Sequence, residues 1–451
     1  MLDKTLLKTY LHYIVPSSLA FALQGIYSIV DGLFVGHAAG DAALAGINLA
    51  YPLVALVLAV GTGLGIGGAV ISSIRMGEGN YDGARRAMGH TITVLLAASI
   101  PVMLVLVLFH GPLLYVMGAR TEVLEQAKLY MTVMSMGAVF QVLSGGCIPL
   151  IRNKGKVVFA MVAMIIGGGL NCIGDYFLVF QWHWGVTGAA LATLASQVFV
   201  FLCGVWFFLK KENRMKAADF KPDATLTWRT LRNGIAPFAL TLVPEATTIA
   251  INISAGAYGG GTAQAAFAVI SYTCISLQWI VQGVNDGSQP LVSRYFGMGD
   301  MSTVRSLRNA NFAVTIGIGL AGVLLLNGFR PQLALIFGVS QGATDMLVVG
   351  MLMYSLSLPL YGFSHAVISY FYAMEIGRDA TIIVVCETVG IAVFAYVLPL
   401  YFGLNGSWAS IPATQVLLCG IAAVLLARSR KELEQRALLQ VEKAQIYKKA
   451  G

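Results

Sequence analysis

Residues 210–232 read KKENRMKAADFKPDATLTWRTLR. This is the longest polar stretch between two apolar runs, and it lies at the middle of a chain of 451 residues. Six apolar runs precede it, at about 10–36, 45–74, 88–110, 124–150, 157–180 and 186–209. Six follow, at about 230–257, 263–294, 306–328, 343–373, 380–402 and 405–427. Each has the roughly 20 residues, or more, that a helix needs to cross a hydrocarbon core. The flanks also repeat. Pro16 is matched by Pro237 and Gln24 by Glu245; Gly77, Gly79 and Arg85 by Gly297, Gly299 and Arg305. Gly155 and Lys156 are matched by Gly377 and Arg378, and Gly185, Gly188 and Gln197 by Gly403, Gly406 and Gln415. The offset stays near 220 residues throughout. An even number of spans per half makes the repeats parallel, related by an axis along the membrane normal. The expected fold is all-α and polytopic, with twelve transmembrane helices in two six-helix bundles. The expected boundaries are 1–209 for the first lobe, 210–229 for the linker, 230–427 for the second lobe and 428–451 for a basic tail. Two bundles facing each other enclose a cleft, and rocking one against the other gives alternating access.

Composition excludes the soluble classes. Apolar residues make up 57% and charged residues 11%, where soluble domains carry about 25% charged residues. Mean hydropathy is +0.76, and disorder requires the opposite balance. The first apolar run is too long for a signal peptide and reads as a membrane helix. The net charge of +8 follows topology and does not point to nucleic acid. Of the 29 Lys and Arg residues, only Arg120, Lys128 and Arg330 fall on odd-numbered connections. That asymmetry places both termini in the cytoplasm of a cell whose inner membrane the chain spans. Trp182, Trp184 and Trp408 fall near outer ends, as an interfacial belt requires. The six cysteines form no CxxC pair and read as buried small hydrophobes. The tail reads as a cytoplasmic helix on anionic lipid.

Chemistry should sit where polar groups are expensive, since a charge at the bilayer centre costs about 2.5–3.5 kcal/mol. Five carboxyls lie deep in the spans: Asp31, Asp175, Glu245, Asp286 and Glu387. Tyr27 and Asp31 share a face of helix one, as Asn171 and Asp175 do on helix five, with Thr193 on helix six. These groups can form one cluster that holds and releases a proton or ligates a small hard cation such as sodium. Pro16 kinks helix one, as a fixed bend or as a hinge. Gln278, Gln282, Asn285 and Gln289 stripe helix eight, followed by Asp286, and a polar stripe inside a span is expected to line water. Tyr361 and His365 share a face of helix ten. Glu387 has no partner visible in sequence. Gly63-Leu64-Gly65-Ile66-Gly67-Gly68 matches a nucleotide fingerprint, but no strand precedes it, so close helix packing is expected. No Walker motif, metal-ligand spacing or nucleophilic triad is present, so neither direct ATP drive nor an enzyme finds support.

The chain resembles the multidrug and toxic compound extrusion (MATE) family of the MOP superfamily, in the branch of bacterial DinF-like and archaeal members. The resemblance rests on 27–32 (YSIVDG), 170–175 (LNCIGD), 185–193 (GVTGAALAT) and 287–291 (GSQPL), in order along both halves. It implies a V-shaped fold and a monomeric secondary antiporter. Such a protein expels cationic or amphipathic drugs against inward proton or sodium flow, with no cofactor beyond that ion. It places the first-lobe cation site on Tyr27, Asp31, Asn171, Asp175 and Thr193, and the helix-one bend on Pro16. Glu245 corresponds to a second-lobe site of one branch, whose helix-ten Asp falls here on Ser364 or His365, a departure from that pattern. Glu245, Gln278, Gln282, Asn285, Asp286, Tyr361 and His365 are the second-lobe candidates for cavity or substrate contact. Two alternatives stand beside this reading. A lipid-linked oligosaccharide flippase would favour a basic cavity, yet no Lys or Arg lies deep in the spans. A non-transporting receptor or assembly protein would leave the carboxyl cluster without a purpose.

Overall fold

A bilayer core offers no water to a peptide N–H or C=O, so an apolar chain must close its backbone bonds within each segment. In the computed structural model that requirement is met by helices almost throughout. The structure describes residues 3–39, 41–337 and 340–450; the side chains of 28–42, 431, 437, 444, 446 and 448–450 lie outside that description.

The first helices are α1 (Lys4–Ala39), α2 (Asp41–Gly77) and α3 (Tyr81–Val116). Next come α4 (Thr121–Met136) and α5 (Ala138–Asn153), bent by 60° at Gly137. Helix α6 (Val157–Asp175) widens into a π-helical turn, Tyr176–Gln181, before α7 (Gly185–Leu209). After the linker run α8 (Ala224–Gly297), α9 (Met301–Gly328), α10 (Arg330–Ile336), α11 (Gln341–Ser355), α12 (Leu358–Ala373), α13 (Gly377–Phe402) and α14 (Leu404–Ala450). All twelve expected spans fall on this helical chain. Among the described residues, nine helices are long and apolar enough to cross a membrane, or ten with α4 and α5 taken as one span. Helix α8 holds two expected spans. It breaks at Gly260, whose φ of 63° suits a residue without Cβ. Gln264 donates to the Asn252 carbonyl at 3.2 Å, although a straight helix would hold residues twelve apart at about 18 Å. The chain therefore reverses there.

Two compact units emerge, Leu19–Leu242 and Met1–Ser18 with Val243–Gly451. Residues 1–18 thus pack with the second half of the chain, and 224–242 with the first. In the second unit, a Cβ on Gly287 would lie 2.7 Å from the Tyr13 carbonyl oxygen, and one on Gly283 would lie 2.5 Å from Ser18 Cα. Tyr10 also donates to Asn311 Oδ1 at 3.2 Å. In the first unit, the glycine run of α2 meets three neighbours. Gly63 faces Phe238 and Gly234, a Cβ on Gly65 would lie 2.6 Å from Gly146, and Gly68 faces Thr91. The fingerprint-like spacing therefore serves packing, as expected.

The polar linker is strapped to the start of α3. Asp219 accepts from Lys216 N at 2.7 Å and from Arg85 Nε at 2.8 Å, and Arg86 pairs with Asp223 at 3.0 Å. Asp223 caps α8, accepting from Leu226 N and Thr225 N. Those amides, with Arg86 nearby, hold its carboxyl below the usual range. Arg305, the repeat mate of Arg85, pairs with Glu434 beyond the last expected span at 2.6 Å. One interfacial expectation fails. Trp182 and Trp184 are exposed, but Trp408 is only 2% exposed and stacks on Phe267 at 6.0 Å. Its indole fills the core beside Gly350, where a smaller residue would leave a void.

Gly287→Leu should lower the melting temperature in detergent, a cost of about 1–3 kcal/mol for forcing a side chain into a backbone contact. Gly317→Leu is the control, because nothing lies within 4 Å of that position. Equal melting of the two variants would show that the contact at Gly287 is dispensable.

Candidate functional site

In the first unit, Tyr27 on α1 lays its ring against Gly168 on α6, and its hydroxyl donates to the Ile165 carbonyl at 3.4 Å. Asn171 on α6 donates to Thr193 Oγ1 on α7 at 3.4 Å. Small residues allow that approach, since a Cβ on Gly174 would lie 2.8 Å from that of Ala192. Asp175 is 0% exposed and ends α6 where the π turn begins, the kind of irregularity that marks functional sites. The structure thus joins Asn171 to Thr193, brings Tyr27 to the same helix, and seals Asp175 at its end. The backbone of α1 continues helically past Asp31, whose side chain lies outside the described residues. Pro16 lies in α1 and removes the N–H that would bond the His12 carbonyl.

In the second unit, the centre is an acid that sequence reasoning left without a role. Glu387 on α13 is 3% exposed, and His365 on α12 is equally buried. His365 Nε2 lies 3.2 and 3.1 Å from the two carboxylate oxygens. Gln415 on α14 donates to Glu387 Oε1 at 2.7 Å, and Ser364 donates to Gln415 Oε1 at 3.0 Å. That chain of donors fixes the amide orientation and places the His365 proton on Nε2. Tyr361 stacks on the imidazole with centroids 3.7 Å apart. His365 Nδ1 has no hydrogen-bond partner among the described residues. Ser364, Gln415, Glu387 and His365 thus form one hydrogen-bonded chain across α12, α13 and α14. Beside it lies a cavity of about 20 Å³ bordered by Gln278, Tyr354, Tyr361, Glu387 and Gln415, space for about one water.

Of the helix-eight stripe, Gln278 borders this cavity. Gln278, Asn285, Asp286 and Gln289 are buried; Gln278 and Asn285 bond to neighbouring helices, while Gln282 and Gln289 bond within α8. Gln278 donates to Tyr354 at 3.4 Å, Gln282 to Asp286 at 2.8 Å and Gln289 to Ser293 at 2.8 Å. Asn311 donates to Asn285 at 2.8 Å. An unpaired amide in hydrocarbon costs more than a paired one, which is what these bonds avoid. Glu245 lies in the first arm of α8, and its neighbours Val243, Pro244 and Thr247 border the small cavity. Among the described residues no cluster of three or more His, Cys, Asp and Glu is arranged to hold a metal ion.

One sequence signal could have found Glu387's partner. Gln415 is the repeat mate of Gln197, and Gln197 accepts from Ser144 as Gln415 accepts from Ser364. The two serines stand at the same offset near 220.

The MatE family profile matches residues 16–177 and 239–397. The multidrug export protein MepA of Staphylococcus saprophyticus is 26% identical over 450 residues, covering 96% of each chain. A solved outward-facing multidrug resistance MATE family transporter of the MOP superfamily superposes with a TM-score of 0.88 at 24% identity, over 95% of this chain and 96% of that one. A MOP superfamily transporter from Pyrococcus furiosus, described as having reversed pocket polarity suggesting a different function, also gives 0.88, at 23% identity over 95% and 96%.

Glu387→Ala should be severely destabilising, because it strands His365 and Gln415 donors in a sealed site at about 3–5 kcal/mol. The double variant Glu387→Leu/His365→Leu should recover much of the lost melting temperature. A double variant no more stable than Glu387→Ala would rule out a paired, energetically coupled site.

Proposed function

The chain belongs to the MatE family, and from that premise we propose that it is a secondary active multidrug efflux antiporter. It expels cationic or amphipathic compounds from the cell, coupled to inward proton or sodium flow by alternating access. It works as a monomer in the cytoplasmic membrane with both termini inside, and uses no cofactor beyond the coupling ion. The observation that carries the reading is the sealing of ionisable groups inside membrane-length helices, Asp175 in one unit and Glu387 with His365 in the other. Such groups are retained at a cost and mark ion paths.

The mechanism follows from charge. Cation binding at Asp31 and Asp175 removes negative charge from the first lobe and lets α1 repack around its proline. Drug binding favours the conformation in which those carboxylates are free. Coupling arises because cation and drug stabilise different states. In the second unit the hydrogen-bonded His365–Glu387 pair holds α12 to α13 beside the small cavity. Methionine and aromatic side chains permit loose recognition of apolar cations.

Dye efflux from proteoliposomes tests this, with an imposed pH gradient in one series and a sodium gradient in another. Wild type should extrude a cationic dye under at least one gradient. Asp31→Asn and Asp175→Asn should each lose gradient-driven efflux by about tenfold or more, as expected when an interaction of a few kcal/mol is removed. If neither gradient drives a cationic dye, the efflux reading falls. If both variants transport normally, the first-lobe coupling site falls.

A further inference from the structure

A second cavity, of about 250 Å³, lies in the second unit away from the groups described above. Arg305 and Arg308 reach it from the first turns of α9, and Arg430 from α14. All three lie at the ends of membrane-length segments, Met301–Gly328 and Leu404–Arg430. Tyr370, 4% exposed, closes one wall, and the Arg308 guanidinium lies 5.5 Å above its ring. Leu426, Leu433 and Met301 complete an apolar side. Three guanidinium groups therefore converge on one space. Among the described residues the carboxylate paired with them is Glu434, 2.6 Å from Arg305 and 3.6 Å from Arg430. Among the described residues the partners of Arg308 are neutral: it donates to Asn309 Oδ1 at 3.1 and 2.9 Å and to the Tyr370 side chain.

The geometry points to a binding site for a phosphate-bearing anion held by Arg305, Arg308 and Arg430, with the phosphodiester headgroup of an anionic phospholipid as its main occupant. Guanidinium forks match phosphate oxygens two at a time. The volume greatly exceeds that of one water, about 30 Å³, and suits a headgroup. The apolar side gives glycerol and the first acyl carbons a surface at the end of the helices, the level at which headgroups lie. Bound phosphate would compete with Glu434 for Arg305. It would thereby tie α9 to α14, the junction that corresponds in the repeat to the strap of Arg85 on the linker.

Native mass spectrometry of the full-length protein in detergent, titrated with phosphatidylglycerol and separately with phosphatidylcholine, tests the site. Phosphatidylglycerol should bind in preference. Arg308→Ala and Arg430→Ala should each weaken it about tenfold, the worth of one charge-assisted contact. The Arg430 side chain is 75% exposed, so its removal spares the fold. Glu434→Gln should tighten binding. Arg428→Ala removes the same charge from the same helix without lining the cavity, and should change nothing. Soluble glycerophosphate identifies the source: displacement of lipid at comparable concentration supports the site and assigns soluble phosphate esters to it, and failure to displace supports the lipid. Unchanged binding in Arg308→Ala and Arg430→Ala, or an equal loss in Arg428→Ala, overturns the proposal, because attraction would then reflect net charge alone.

Discussion

Backbone approach at glycine is the constraint on which this structure rests. Lipid tails are as apolar as leucine, so helices in a bilayer gain little by hiding apolar side chains from them. Contact must come from close packing, and close packing needs positions without a Cβ. Gly65 against Gly146, and Gly283 and Gly287 against the opening of α1, supply such contacts in the two units. They bring backbones near enough for short polar side chains to bridge, as Thr62 does to Thr241 at 3.1 Å. The ionisable groups depend on this. A carboxyl can stay inside a span only where its helix is held firmly enough for a partner to remain within reach.

The repeat shows which parts of that frame are common and which have diverged. Ser144 with Gln197 and Ser364 with Gln415 are the same hydrogen bond made twice. Around it the units differ. Where the second has Glu387 on α13, the first has Ile165 at the matching distance from its Gly155. Where the first has Asp175, the second offers Val393 or Val397, according to which repeat offset is applied. One scaffold thus carries two differently placed acids. The first ends α6, one turn beyond Asn171, and the second stands with an imidazole.

Much of this was legible in the sequence, because membrane helices announce themselves by length and apolarity. The central polar segment, the repeat and the role of the glycine run follow from one-dimensional information. So does the bond between Asn171 and Thr193, which small residues in the neighbouring turns make room for. What could not be read were distances between helices far apart in sequence. Glu387 shares no helix face with His365, so no i, i+4 rule could join them. The helix-eight stripe showed its polarity but not its neighbours, and polarity alone does not separate a water-lined wall from an interhelical seam. Trp408 misled because proximity to a span's end was taken for proximity to the interface. The exchange of residues 1–18 and 224–242 between the halves had no signature in composition, since both segments are ordinary helix.

That exchange bears on how the molecule is made. The backbone partners of Tyr13–Ser18 are Gly283 and Gly287, some 270 residues later in the chain. At about 5–20 residues per second of synthesis, the opening of α1 must wait on the order of tens of seconds for its seat. Likewise the glycine run of α2 waits for residues 230–238, which are made only after the linker. Neither unit is closed when the linker leaves the ribosome. A gene cut within residues 210–223 would therefore yield two fragments that each lack a helix segment carried by the other, and rejoining them would require each to lend its first helix back.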